Sequence, residues 1–136
     1  KGYTLLPALS WHAYIIQVKW VPANVPIGYD AQYITERATK IALLPVGYGD
    51  GYPRGLSNVG CVVINGVYAR IIGMISMNII TVDVTHIPHI KEGDIATLLG
   101  GDAKIQPPYV AYYAGVITLE LLSTINQKIP RIIQST

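Results

Sequence analysis

Leu43-Leu44-Pro45-Val46-Gly47-Tyr48-Gly49-Asp50-Gly51-Tyr52-Pro53-Arg54 is an apolar run that breaks into a loop rich in glycine and tyrosine. Residues 41–46 read as a buried strand, and glycines at alternate positions 47, 49 and 51 permit positive φ and close backbone approach. Between them stand two phenols, a carboxylate and a guanidinium, groups that handle ligands rather than fill cores. Gly and Pro punctuate most loops, so a long structural turn closed by Pro53 accounts for the stretch equally well on local grounds. The surrounding chain has to separate the two readings.

With 136 residues, 51% apolar and 13% charged, the chain has the make-up of a folded domain rather than a disordered segment. Residues 1–136 read as a single domain, and a start at Lys1 without methionine points to part of a longer polypeptide. No apolar run is long enough to cross a bilayer as a helix, and the signature of a secretory leader is missing. A net charge of +2, with Lys and Arg scattered, lacks the basic track a nucleic acid needs. The one cysteine, Cys61, excludes an internal disulfide framework and suits a reducing, cytoplasmic setting. Ten tyrosines and no phenylalanine fit a surface that is half core and half wet site, since a phenol buries a ring while offering a polar end.

Residues 9–21 (LSWHAYIIQVKWV) alternate, with Tyr14, Ile16, Val18 and Trp20 on one face, which predicts one long half-buried strand. Pro22 and Pro26 then stop pairing, because proline has no N–H for a ladder, and Gly28-Tyr29-Asp30 forms a turn. Residues 35–39 are a polar approach to the strand at 41–46. Residues 60–64 and 67–72 flank Asn65-Gly66, whose tolerance of positive φ predicts a tight hairpin. Residues 79–84 and 95–99 are further strands, parted by a turn at Ile87-Pro88. Strands this short and closely spaced predict a mainly β fold, a small β-barrel or sandwich-like domain. Pro107-Pro108 opens its one C-terminal α-helix, with Val110, Ala114, Ile117, Leu121 and Leu122 at spacings of three and four, ending near Asn126. A last extended piece covers 129–133.

His86 and His89 lie in a proline turn without a third ligand nearby, so no metal is expected. His12 reads as a hydrogen-bonded face residue, and Cys61, with no cation adjoining it in sequence, as a structural thiol. Tyr29 and Tyr48 are the stronger candidates: each follows an apolar residue and a glycine into a loop where a core aromatic is out of place. A phenol titrates near 10, so it moves protons at neutral pH only beside a cation or within a relay. Nothing in the sequence supplies one, and activation has to come from elsewhere.

Val25-Pro26-Ile27-Gly28-Tyr29, the 44–54 stretch, Ile71-Ile72-Gly73-Met74-Ile75-Ser76-Met77-Asn78, Val82-Asp83-Val84-Thr85, Ile125-Asn126 and Ile129-Pro130-Arg131 together resemble the C-terminal β domain of bacterial alanine racemases. The resemblance covers nearly the whole chain in order and spacing. It implies a pyridoxal 5'-phosphate enzyme whose N-terminal (α/β) barrel, absent from this chain, carries the cofactor lysine. It also implies a head-to-tail homodimer in which each β domain completes the partner's site, with L- and D-alanine interconverted for peptidoglycan. By position, Tyr29 resembles the tyrosine base, Tyr48 a second pocket tyrosine, the Met77 N–H a contact for the substrate carboxylate, and Arg54 an entryway residue. Racemisation needs one base on each face of the α-carbon, so a tyrosine opposite a lysine is a consistent arrangement.

The chain departs from the family pattern at three places. Asp30 follows Tyr29 where glycine is usual in the family, Leu119 stands where a tyrosine reaches the cofactor phosphate, and Met74 stands where an entryway arginine is common. By itself the chain is expected to be inactive, because no lysine lies in a cofactor-anchoring context. The alternative is a non-catalytic β module for dimerisation in a degenerate racemase. A barrel stacking single-stranded nucleic acid on tyrosines lacks its basic track. The substrate is a small amino acid not further specified.

Overall fold

The structure, a computed structural model, describes residue 2 and residues 7–135. In chain order the strands are β1 (Trp11–Tyr14), β2 (Gln17–Val21), β3 (Pro26–Ile27), β4 (Tyr33–Ile34), β5 (Thr39–Leu44), β6 (Cys61–Ile64), β7 (Val67–Ile71), β8 (Ile80–Asp83) and β9 (Ile95–Leu99). Helices α1 (Pro107–Ala114) and α2 (Thr118–Thr124) follow. The fold is mainly β, as expected: seven strands form one antiparallel sheet in the order β1-β9-β6-β7-β8-β5-β2, and β3 pairs with β4.

The single strand expected over 9–21 is two strands on opposite edges of that sheet. Between them the Ile15 N–H donates to the Asp94 carbonyl (2.9 Å) and the Ile16 N–H to the Leu43 carbonyl (3.0 Å), so one kinked segment borders both edges and curls the sheet into a barrel-like shape. Trp11 and Ile15 enter the core and Val18 packs against it, whereas Tyr14, Ile16 and Trp20 are exposed, so the segment is half-buried as its alternation predicts.

Leu44, Ile64, Ile71, Ile80, Val82 and Leu98 fill the interior, closed over by Tyr52, Leu56, Ile105, Val110 and Leu121 from loops and helices. A smaller core of Ile27, Ile41 and Ile72, with Val21, Val25, Tyr33 and Leu43 against it, lies apart from the first. Each such buried aliphatic side chain contributes about 1.5–3 kcal/mol. This second core holds the β3–β4 hairpin, which pairs where Pro26 was expected to stop pairing; proline is tolerated there because it opens the strand. Thr35, expected in a polar approach, is buried: its hydroxyl donates to the Pro22 carbonyl (2.7 Å) and accepts the Val25 N–H (2.9 Å).

The β6–β7 hairpin forms on Asn65 (φ 50) and Gly66 (φ 76), the left-handed pair such a tight turn requires. The expected single helix is broken at Gly115 (φ 74), whose N–H caps the carbonyls of Ala111 and Tyr112. Residues 129–133 pair with no strand among the described residues. Pairing of Leu44 with Ile80 and Ile71 with Val82 puts the loops 45–51 and 72–79 at one end of the sheet.

Candidate functional site

Three loops interlock at that end, and residues 73–78 form the middle one. On one side the Tyr48 N–H donates to the Ser76 carbonyl (3.0 Å) and the Gly49 N–H to the Met77 carbonyl (2.9 Å). The contact is so close that a Cβ on Gly47 would overlap the Ser76 carbonyl oxygen. On the other side Gly28 packs against Met74, where a Cβ would stand 2.9 Å from the Met74 nitrogen. The Tyr48 loop thus bonds directly to residues 76–77, while Gly28, the residue before Tyr29, packs on the same loop at Met74. Tyr29, Tyr48 and Met77 are 68%, 49% and 55% exposed. Neither phenol hydroxyl nor the Met77 N–H has a hydrogen-bond partner among the described residues.

Tyr29 opens a 3-10 turn at the tip of the β3–β4 hairpin, and Asp30 (φ 60) and Ala31 (φ 47) behind it are left-handed. That conformation suits glycine, and aspartate tolerates it better than most residues. The middle loop is braced by side chains that sequence reading passed over. Asn58 Oδ1 accepts the Gly73 N–H (2.7 Å), Ser57 Oγ accepts the Ile75 N–H (2.9 Å), and Ser76 Oγ accepts the Ile79 N–H (2.9 Å). The available signal was residue type, since Ser and Asn in loops bond to nearby backbone.

The polar groups of the 43–54 stretch divide. Asp50 is a brace, its carboxylate accepting the Gly47 N–H (3.0 Å). Tyr52 is 2% exposed and stacks edge-on against Trp11 (5.8 Å, 79°); its hydroxyl has no partner among the described residues, and burial drives it far above the ordinary phenol range. Only Tyr48 and Arg54 of this stretch offer polar side chains outward. They share a cleft of about 240 Å³ with Ala114, Val116, Glu120 and Leu121. Leu119 is 75% exposed on α2.

His86 Nε2 bonds to the Tyr68 carbonyl (2.8 Å), and His12 bridges Thr97 Oγ1 (3.0 Å) and Ser10 Oγ (2.9 Å). The described residues hold no group of three His, Cys, Asp or Glu side chains placed for a metal. Burial pushes the Cys61 thiol up, away from the nucleophilic form.

The fold is a barrel-like β domain whose interlocked loops expose two phenols and a backbone N–H without a partner among the described residues, and those loops carry no lysine. Residues 8–133 match the family described as alanine racemase, C-terminal domain, and the chain belongs to that family. The alanine racemases of Syntrophobacter fumaroxidans and Halothermothrix orenii are 43% and 44% identical to it over 129 residues, 93% of this chain and 34% of each relative. The biosynthetic alanine racemase of Pseudomonas aeruginosa superimposes with a TM-score of 0.89 at 34% identity, over 96% of this chain and 36% of that one. The alanine racemase of Bartonella henselae with covalently bound pyridoxal phosphate gives 0.85 at 33%, over 90% and 34%. The chain therefore spans about a third of the length of these relatives.

Proposed function

We propose that this domain supplies the tyrosine side of an alanine racemase site, completed by an N-terminal barrel domain and by the second subunit of a head-to-tail homodimer. The observation that supports the reading is the junction of the Tyr48 loop with Met77, whose N–H has no hydrogen-bond partner among the described residues. Tyr29 takes or returns the α-proton at its Oη on one face of a small amino acid. The Met77 N–H holds the substrate carboxylate, Tyr48 walls the pocket, and the Arg54 guanidinium draws carboxylates to the entry. Pyridoxal phosphate, when bound, withdraws electrons from the α-carbon and so acidifies its C–H. The three loops carry no amine, and Leu119 offers only hydrocarbon. This chain's donors therefore suit the substrate, and holding the cofactor falls to the rest of the polypeptide.

In the full-length protein, Tyr29→Phe should lower kcat/KM for alanine by roughly 10²–10⁴-fold, with the cofactor absorbance retained. An unchanged rate would remove Tyr29 from the chemistry. The 136-residue chain alone should neither racemise alanine nor take up pyridoxal phosphate; a borohydride-fixed adduct on one of its lysines would contradict this.

Leu119, with the exposed Tyr109, Tyr112 and Tyr113 on α1, favours a second reading in which the β module of a degenerate racemase serves association. Leu119→Tyr separates the two. Tighter cofactor binding by the full-length variant favours the enzyme, and unchanged binding favours the association module.

A further inference from the structure

Asn126 lies beyond the end of α2, outside the three loops, yet it grips the one that carries Tyr48 at two points. Its N–H donates to the Asp50 carbonyl (2.9 Å), and its Nδ2 donates to the Gly49 carbonyl (3.2 Å). The side-chain amide is held in that sense because its Oδ1 accepts the Lys128 N–H (2.9 Å), and the backbone carbonyl separately accepts the Ile129 N–H (3.1 Å). Alongside, the Thr124 hydroxyl lies 3.3 Å from the Gly51 carbonyl, and Gly51 (φ 92) approaches so near that a Cβ would overlap the Thr124 carbonyl. The same Gly49 donates its own N–H to Met77 (2.9 Å). One peptide segment is therefore clamped between Met77 on one side and Asn126 on the other.

We infer that Asn126 is a positioning residue, fixing the Tyr48 loop so that the Tyr48 phenol and the Met77 N–H keep their relative placement. The role of those two groups toward substrate rests on the function proposed above; the clamp itself does not. Asn126→Asp isolates the contact, because it keeps the acceptor for Lys128 while setting an oxygen that cannot donate against the Gly49 carbonyl.

Two measurements on the full-length protein test it. In amide hydrogen exchange, residues 47–51 of Asn126→Asp should exchange up to about tenfold faster, with β6 and β7 unchanged. Equal exchange in variant and parent overturns the inference, and Asn126→Ala, which removes the donor without adding charge, repeats the measurement should the aspartate variant not fold. In a double-mutant cycle, Asn126→Asp should lower kcat/KM about fivefold beside native Tyr48 and leave it nearly unchanged beside Tyr48→Ala. Equal losses in both backgrounds mean that Asn126 does not act through Tyr48. If Tyr48→Ala itself leaves kcat/KM intact, the substrate role of Tyr48 fails, and the exchange measurement still decides the clamp.

Discussion

Tyr48 and Tyr52 stand four positions apart in one glycine-rich loop, and the fold assigns them opposite environments. Tyr48 is half exposed, while Tyr52 packs on Trp11 with a buried hydroxyl that has no hydrogen-bond partner among the described residues. An unpaired buried hydroxyl is a cost, so Tyr52→Phe should leave stability unchanged or raise it by about 1 kcal/mol, read as a higher Tm; a drop of that size would reveal a bonded hydroxyl. Tyr29 and Tyr48 could be picked from sequence because Gly28 and Gly47 mark sharp turns. That Tyr52 turns inward could not, because its ring is received by Trp11, forty-one positions upstream.

Secondary elements were legible where their rules are local. Asn65-Gly66 dictates its own hairpin, whereas the kink at Ile15–Ile16 exists because two distant partners, Asp94 and Leu43, bind the two halves of one segment. Two glycines near the helices distinguish conformational from steric demands. Gly115 has a left-handed φ of 74 with open space around its Cβ position, so Gly115→Ala should cost about 1 kcal/mol. Gly51 adds to a φ of 92 an overlap with the Thr124 backbone, so Gly51→Ala should cost roughly 3 kcal/mol or more. Denaturant melts of the two variants check the ranking, and equal losses would mean that the Thr124 contact yields.

Across the molecule, Tyr68 on β7 donates to Asp102 in the loop after β9, and the Lys104 ammonium lies 4.5 Å above its ring. The Tyr68 hydrogen bond, together with the Lys104 N–H, holds the Asp102 carboxyl below its ordinary range, and the same bond raises Tyr68 above its own. A depressed carboxylate contributes stability that is present above its unfolded value of about 3.9 and lost as pH falls through the folded one. A raised phenol contributes stability below its unfolded value of about 10, lost as pH rises through the folded one. Tyr68→Phe should therefore lower Tm near neutrality, with the gap to the parent closing toward strong acid. A gap independent of pH on the acid side would show that the carboxylate does not take part.

Family, mainly β architecture, the β6–β7 hairpin and the Tyr29 and Tyr48 turns were determined by the amino-acid sequence alone, because turn chemistry and alternation act over a few neighbouring residues. Tertiary structure decided how the kinked first segment borders both sheet edges, which phenol of the 43–54 loop is buried, and that Asn126 and Asn58 brace loops far from them in the chain. Those outcomes depend on which distant segments share a buried surface or supply a missing hydrogen-bond partner, and no local pattern specifies such a pairing.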